Sequence, residues 1–118
     1  AQLVAAGLTV GLGASTRDPM GSRNLPFMAG TAAAYGLDKE AALTMITRTN
    51  AEILGIADRL GTLEPGKDAT LFVSKGDALD MRGNQLLKAY IQGRDIDLNG
   101  TQQQLFERYR KKYSSQTR

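Results

Sequence analysis

The spacing of apolar positions divides the chain into a helical first half and a β-rich second half. Leu3, Val4, Ala5 and Ala6, followed by Gly7, predict the end of a helix with a glycine stop. Leu8-Thr9-Val10-Gly11-Leu12-Gly13 is small or apolar throughout and flanked by glycine, which predicts a strand buried on both faces, as in a parallel sheet. A helix, a glycine and a buried strand in succession form the αβ half of a βα repeat. Residues 14–24 form a polar loop containing Pro19 and Gly21, and loops after parallel strands are where α/β proteins keep their sites. Leu25 to Tyr35, rich in Ala, Met and Phe, predicts a buried helix with Pro26 in its first turn, where the missing N–H is harmless. Asp38 is placed to cap the next helix, and Ala41, Ala42, Met45 and Ile46 recur at helical spacing. A further helical turn, Asn50–Leu54, closes at Gly55. These helices are rich in Ala and poor in basic residues, so packing elements are expected here rather than a DNA-reading helix-turn-helix.

The pattern changes at Gly61. Gly61 to Ala69 is dense in turn residues, Thr70-Leu71-Phe72-Val73 predicts a strand, and residues 76–83 predict a polar loop. In Leu86–Gln92, alternation puts Leu87, Ala89 and Ile91 on one face of a second strand. Gly93-Arg94 predicts a tight turn, Asp95–Leu98 a short return strand, and Thr101 the cap of a helix with Leu105, Phe106 and Tyr109 on one face and Tyr113 beyond.

Composition narrows the chemistry. With 118 residues, 42% of them hydrophobic and 23% charged, the chain suits one folded unit of ordinary size. It contains no Cys, which excludes disulfides and thiolate chemistry, and no His, the commonest general base and transition-metal ligand. No apolar run approaches the roughly 20 residues of a membrane helix, so no membrane partner is expected. The residues around Ala1 lack the basic n-region of a secretory signal, and Ala1 itself reads as a cut point within a longer chain. Of the net charge of +3, residues from Thr101 onward carry +4 and the rest −1. That tail reads as a solvated helix end whose cations suit the C-terminal dipole, and no nucleic-acid partner is expected.

One long ordered string stands out. Ala41-Ala42-Leu43-Thr44-Met45-Ile46-Thr47 is followed by Asn50-Ala51-Glu52-Ile53-Leu54-Gly55-Ile56 and by Asp58-Arg59-Leu60-Gly61-Thr62-Leu63-Glu64-Pro65-Gly66-Lys67-Asp68-Ala69-Thr70-Leu71. It resembles the C-terminal signature of the amidohydrolase superfamily and is most similar to its imidazolonepropionase-like members. Ala89-Tyr90-Ile91-Gln92-Gly93-Arg94 resembles the closing strand of the same proteins. The resemblance implies an α/β fragment: the last βα unit of a (β/α)8 barrel, C-terminal strands of a small β-sandwich, and a C-terminal helix. Residues 1–58 would be the end of the hydrolase barrel, 59–99 a share of the composite sandwich, and 100–118 the helix and basic tail. Gly66 is expected at positive φ in a sharp reversal, and Lys67 and Asp68 are expected to be structural.

The resemblance also implies chemistry. Such enzymes use divalent metal, often zinc, to activate water against an amide-like C–N bond. An Asp just past the eighth strand binds metal and takes a proton from the attacking water. After Gly13 this chain has Ala14 and Ser15, and its first carboxylate is Asp18, the candidate catalytic residue and metal ligand. Arg23 and Asn24, in the same loop, are candidates for binding a substrate carboxylate or carbonyl. The other ligands of the family are mostly His from earlier strands, and catalytic zinc normally takes three protein ligands. The fragment alone is therefore expected to hold no metal and to be inactive. Its expected partners are a small-molecule substrate in the parent protein, the rest of the barrel, and a second copy of itself. A non-catalytic structural or oligomerisation module derived from the same fold is the alternative. Cut from a closed barrel, the piece would expose edges and apolar faces, so self-association or disorder of its N-terminal third is expected.

Overall fold

The computed structural model describes residues 1–15 and 19–114. In chain order it contains helix α1 (Gln2–Ala5), a 3-10 helix (Pro19–Asn24), helices α2 (Leu25–Ala34), α3 (Lys39–Met45) and α4 (Arg48–Ile53), strands β1 (Leu71–Ser74), β2 (Leu86–Ile91) and β3 (Arg94–Asp95), and helix α5 (Thr101–Ser114). The helices begin and end where local chemistry dictates. Pro26 lies in the first turn of α2. The Asp38 carboxylate accepts the Ala41 N–H at 2.9 Å at the start of α3, satisfying one donor that a helix N-terminus leaves free. Thr101 is the first residue of α5 rather than its cap, because the Gln104 N–H bonds the Gly100 carbonyl at 3.1 Å.

The strands form an antiparallel sheet in the order β1-β2-β3. Leu71 pairs with Tyr90, Phe72 with Ala89 and Val73 with Lys88; the register then slips, and Ser74 pairs with Leu86. Gln92 and Gly93 have φ of 51° and 75°, and Ile91 pairs with Arg94 across them. Two consecutive left-handed residues match the turn's twist to that of the strands. The turn lies at Gln92-Gly93, one residue earlier than the expected Gly93-Arg94, and the return strand is Arg94–Asp95 rather than Asp95–Leu98, although the Ile96 N–H still reaches the Ala89 carbonyl at 2.9 Å.

Residues 8–13 belong to no strand, contrary to expectation. A strand exists only as part of a ladder, and no described segment lies alongside to complete one. The segment is held on its helical side instead, with Val10 and Leu12 packed against the buried core of Ala29, Leu37, Ala42, Met45 and Leu79. The buried character expected of residues 25–35 is found only at Ala29; Tyr35 is 84% exposed.

Leu79 comes from the loop between β1 and β2, and it fastens the sheet to the helices. Lys39 and Asp77 form an ion pair at 2.5 Å, and the Leu79 N–H bonds the Asp77 carboxylate at 3.0 Å. The loop can approach α2 this closely because residue 30 is glycine: a Cβ there would overlap the Leu79 carbonyl. In an exposed helix Gly→Ala stabilises by about 1 kcal/mol. Gly30→Ala is expected to do the reverse, lowering stability by about 1–3 kcal/mol through overpacking against backbone. A thermal melt checks the sign, and a raised midpoint would contradict the close approach.

Candidate functional site

The loop expected to carry the chemistry follows residues 8–13, and its entry is built by α3 and α4. The Leu12 N–H donates to the Met45 carbonyl at 3.1 Å, satisfying one of the acceptors left free at the end of α3. The Leu12 carbonyl accepts from Asn50 Nδ2 of α4 at 2.7 Å, a bond between residues 38 apart in sequence. Both backbone groups of Leu12 are thus engaged by the helical layer. Gly11 allows this approach, because a Cβ there would overlap Asn50 Oδ1 and meet Ile53 Cδ1 at 3.0 Å.

Beyond this entry the candidate residues stand as follows. Asp18 lies outside the described residues. Arg23 closes the 3-10 helix that packs on α2. It is exposed, and among the described residues it forms no ion pair. Asn24 is exposed at the N-cap position of α2, yet its side chain makes no capping bond there. Arg23 and Asn24 are adjacent in sequence and both open to solvent. Their five side-chain N–H donors and one amide group are available to a planar acceptor such as a carboxylate.

The long signature string does structural work. Gly66 has a φ of 91°, as expected for the reversal. The Asp68 N–H bonds the Arg59 carbonyl at 2.9 Å, and the Arg59 guanidinium meets the Asp68 carboxylate at 2.6 Å. That hydrogen bond and charge hold the Arg59 guanidinium above its already high ordinary value. Lys67 Nζ donates to Thr62 Oγ1 at 2.5 Å and lies 3.6 Å from Glu64. A hydrogen bond with the Thr62 side chain, then the Lys67 charge, holds the Glu64 carboxyl below the usual carboxylate range. Gly61, with a φ of 96°, sits so close to α4 that a Cβ would press on Ala51. Lys67 and Asp68 are therefore engaged in holding the turn.

Two grooves flank this scaffold. One, of about 600 Å³, runs between α2 and the β1–β2 loop. The Lys39–Asp77 pair lies on it, where hydrogen bonding to Lys39 and then to the Leu79 N–H holds the Asp77 carboxyl low. The other, of about 700 Å³, lies between α3, α4 and β1, with Leu43, Ile46, Leu54, Leu71 and Phe72 on its walls. Neither gathers a donor set for a metal: among the described residues no group of three or more His, Cys, Asp or Glu could hold one. The chain has neither His nor Cys, and the grooves' carboxylates, Asp68, Asp77 and Asp80, hold the turns described above or below. The described residues do not by themselves fit the divalent metal that the amidohydrolase resemblance implies.

Sequence reading missed Asn50, Leu79 and the Lys39–Asp77 pair. A weak signal for Leu79 was present: a large apolar residue between two carboxylates, Asp77 and Asp80, in a loop with Met81 as its other large apolar residue. Asn50 carried no such signal, because its partner is a backbone carbonyl far away in sequence.

Residues 1–103 match the profile of a family described as the Amidohydrolase family. No curated protein matches the chain. Among solved structures, the crystal structure of an amidohydrolase from Thermotoga maritima MSB8 is similar, with a TM-score of 0.71 and 34% identity. The likeness covers 81% of this chain and 24% of that one, so the chain spans about a quarter of that protein's length.

Proposed function

Because the chain belongs to the amidohydrolase family, we propose that it is the C-terminal part of a metal-dependent hydrolase that cleaves a cyclic amide or a related C–N bond, most similar to imidazolonepropionase-like enzymes. The observation that carries this reading is the family match over residues 1–103, with the signature string at its centre. The proposal places residues 8–13 as the last strand of a (β/α)8 barrel and residues 59–99 as a share of a β-sandwich completed by other parts of the protein. The divalent metal, zinc above all, would supply an activated water nucleophile. Its other ligands would come from outside this chain, which is why residues 1–118 alone are proposed to be inactive. Asp18 would contribute one carboxylate to that centre and take the proton of the attacking water. Arg23 and Asn24 would orient the substrate's carbonyl or carboxylate through hydrogen bonds.

The test uses the intact protein that carries these residues. It is expected to hydrolyse a cyclic amide, to lose activity on chelation and to regain it with added zinc. Asp18→Asn should lower kcat by about 10²–10⁴-fold, the contribution of a positioned proton acceptor. Residues 1–118 alone should show no turnover; measurable zinc-dependent hydrolysis by them would overturn their assignment as an incomplete site. The second reading is a non-catalytic structural or oligomerisation module derived from this fold. It is favoured by Ala14 and Ser15, which follow Gly13 where a carboxylate is expected. Absence of a His-x-His pair and of further His residues elsewhere in the protein would decide for it.

A further inference from the structure

We infer that Asn50 is a positioning residue: its carboxamide clamps the carbonyl of Leu12 and so sets the direction in which the chain leaves the scaffold at Gly13. The inference rests on the proposed function for the role of Arg23 and Asn24 in the reaction, and on geometry alone for the clamp itself. A carbonyl oxygen only accepts, so the group facing Leu12 must be the amide nitrogen of Asn50, and it lies 2.7 Å away. With the Leu12 N–H given to Met45, both backbone groups of Leu12 are turned toward the helices. Backbone groups engaged in this way are closed to a β-ladder at Leu12.

Three further features make this arrangement specific to Asn50. The side chain is half-buried beside Ala51, which is 4% exposed and fixes that face of α4. Residue 11 is glycine, and any side chain there would displace the carboxamide. Asn50 lines a groove with Leu43, Ile46, Leu54 and Leu71, which carry no side-chain donor, and with the Thr47 hydroxyl three positions before it. That hydroxyl already donates to the Leu43 carbonyl at 2.8 Å. The placement of Arg23 and Asn24, downstream of Leu12, would depend on this clamp, since a displacement of about 1 Å at a site can lower a rate about 10²-fold.

Asn50→Asp separates clamping from simple packing in the intact protein. Asp has the shape of Asn, donates an O–H when protonated, and only accepts when ionised, with an ordinary pKa of about 3.9. Amide hydrogen exchange over residues 8–24 is expected to be about tenfold faster than in the unsubstituted protein at pH 7, the loss that one hydrogen bond accounts for. Relative to the unsubstituted protein at the same pH, protection should return as the pH falls toward 4. Asn50→Ala should lose protection at both pH values, and Gly11→Ala should reproduce that loss with Asn50 intact. Exchange over the β1–β2 segment, residues 71–91, should be unchanged in each and reports whether the fold is retained. Equal exchange over residues 8–24 in all variants, or a loss in Asn50→Asp that acid does not restore, would overturn the inference. In the same variants kcat/KM should fall about 10–100-fold. If the unsubstituted protein hydrolyses nothing, the proposed function fails, and the exchange comparison still decides the role of Asn50.

Discussion

Leu79→Ala is expected to lower stability by about 2–5 kcal/mol, the range for removing a buried leucine side chain. The expectation follows from how little core the chain has. Among the described residues only Ala29, Leu37, Ala42, Met45 and Leu79 form the buried cluster, and Leu79 is the member supplied by the β half. Removing it takes away the apolar side chain that packs with Ala29 of α2 and leaves the Lys39–Asp77 pair, which is solvent-facing, to hold the sheet. Exposed pairs of that kind stabilise little. The loop itself would persist, because Asp80 accepts the Arg82 and Gly83 N–H groups at 3.0 Å each. The damage should therefore appear as undocking of the sheet from the helices rather than as a melted turn. Against a typical total of about 5–15 kcal/mol, such a loss would unfold much of the chain at moderate urea. Met81→Ala, in the same loop but 71% exposed, is the control and should change stability by no more than about 0.5 kcal/mol. Urea midpoints for the two variants decide the matter: similar shifts would mean that Leu79 is not the fastening point.

Residues 1–118 purified alone are expected to self-associate. Their accessible surface is 9268 Å², against about 6,200 Å² for a folded monomer of 12.7 kDa. The radius of gyration is 17.5 Å, against about 13.5 Å for a compact domain of this length. Much of the excess is apolar. Phe72 and Ile91, on one face of the sheet, are 46% and 54% exposed, and β1 and β3 are both open edges. Among the described residues α5 packs against no other helix or strand, leaving Leu105, Phe106, Tyr109 and Tyr113 uncovered. Surfaces of this extent are covered in stable proteins, by other parts of the chain or by a partner. Sedimentation at tens of micromolar should give species heavier than one chain, and Phe72→Lys with Ile91→Lys should shift them toward monomer. A monodisperse monomer with residues 8–15 and 19–30 ordered would contradict the expectation.

These two expectations separate what local sequence encodes from what it cannot. The helices over residues 25–53, the Asp38 cap, the reversal at Gly66 and the turn after Ile91 were all legible. Each depends on a residue's own conformational preference or on partners three or four positions away. The family was legible for the same reason, since its signature is a run of turn and packing residues that follow one another in order. Asp18, Arg23 and Asn24 were legible only as residue types in a loop after a glycine-flanked segment.

Tertiary structure alone decided the rest. Residues 8–13 have the composition of a buried strand, but a strand is a relation between segments, and no described segment pairs with them. Leu79 and Gly30 meet across 49 positions and Asn50 and Leu12 across 38, distances over which no periodicity carries information. The sequence by itself therefore determined the helices of the first half, the Asp38 cap, the two longer strands after Gly61 and the amidohydrolase membership. Which loop plugs the core, which amide holds residues 8–13, and which faces are left open were decided by packing, because burial and hydrogen bonding depend on what the whole chain brings together.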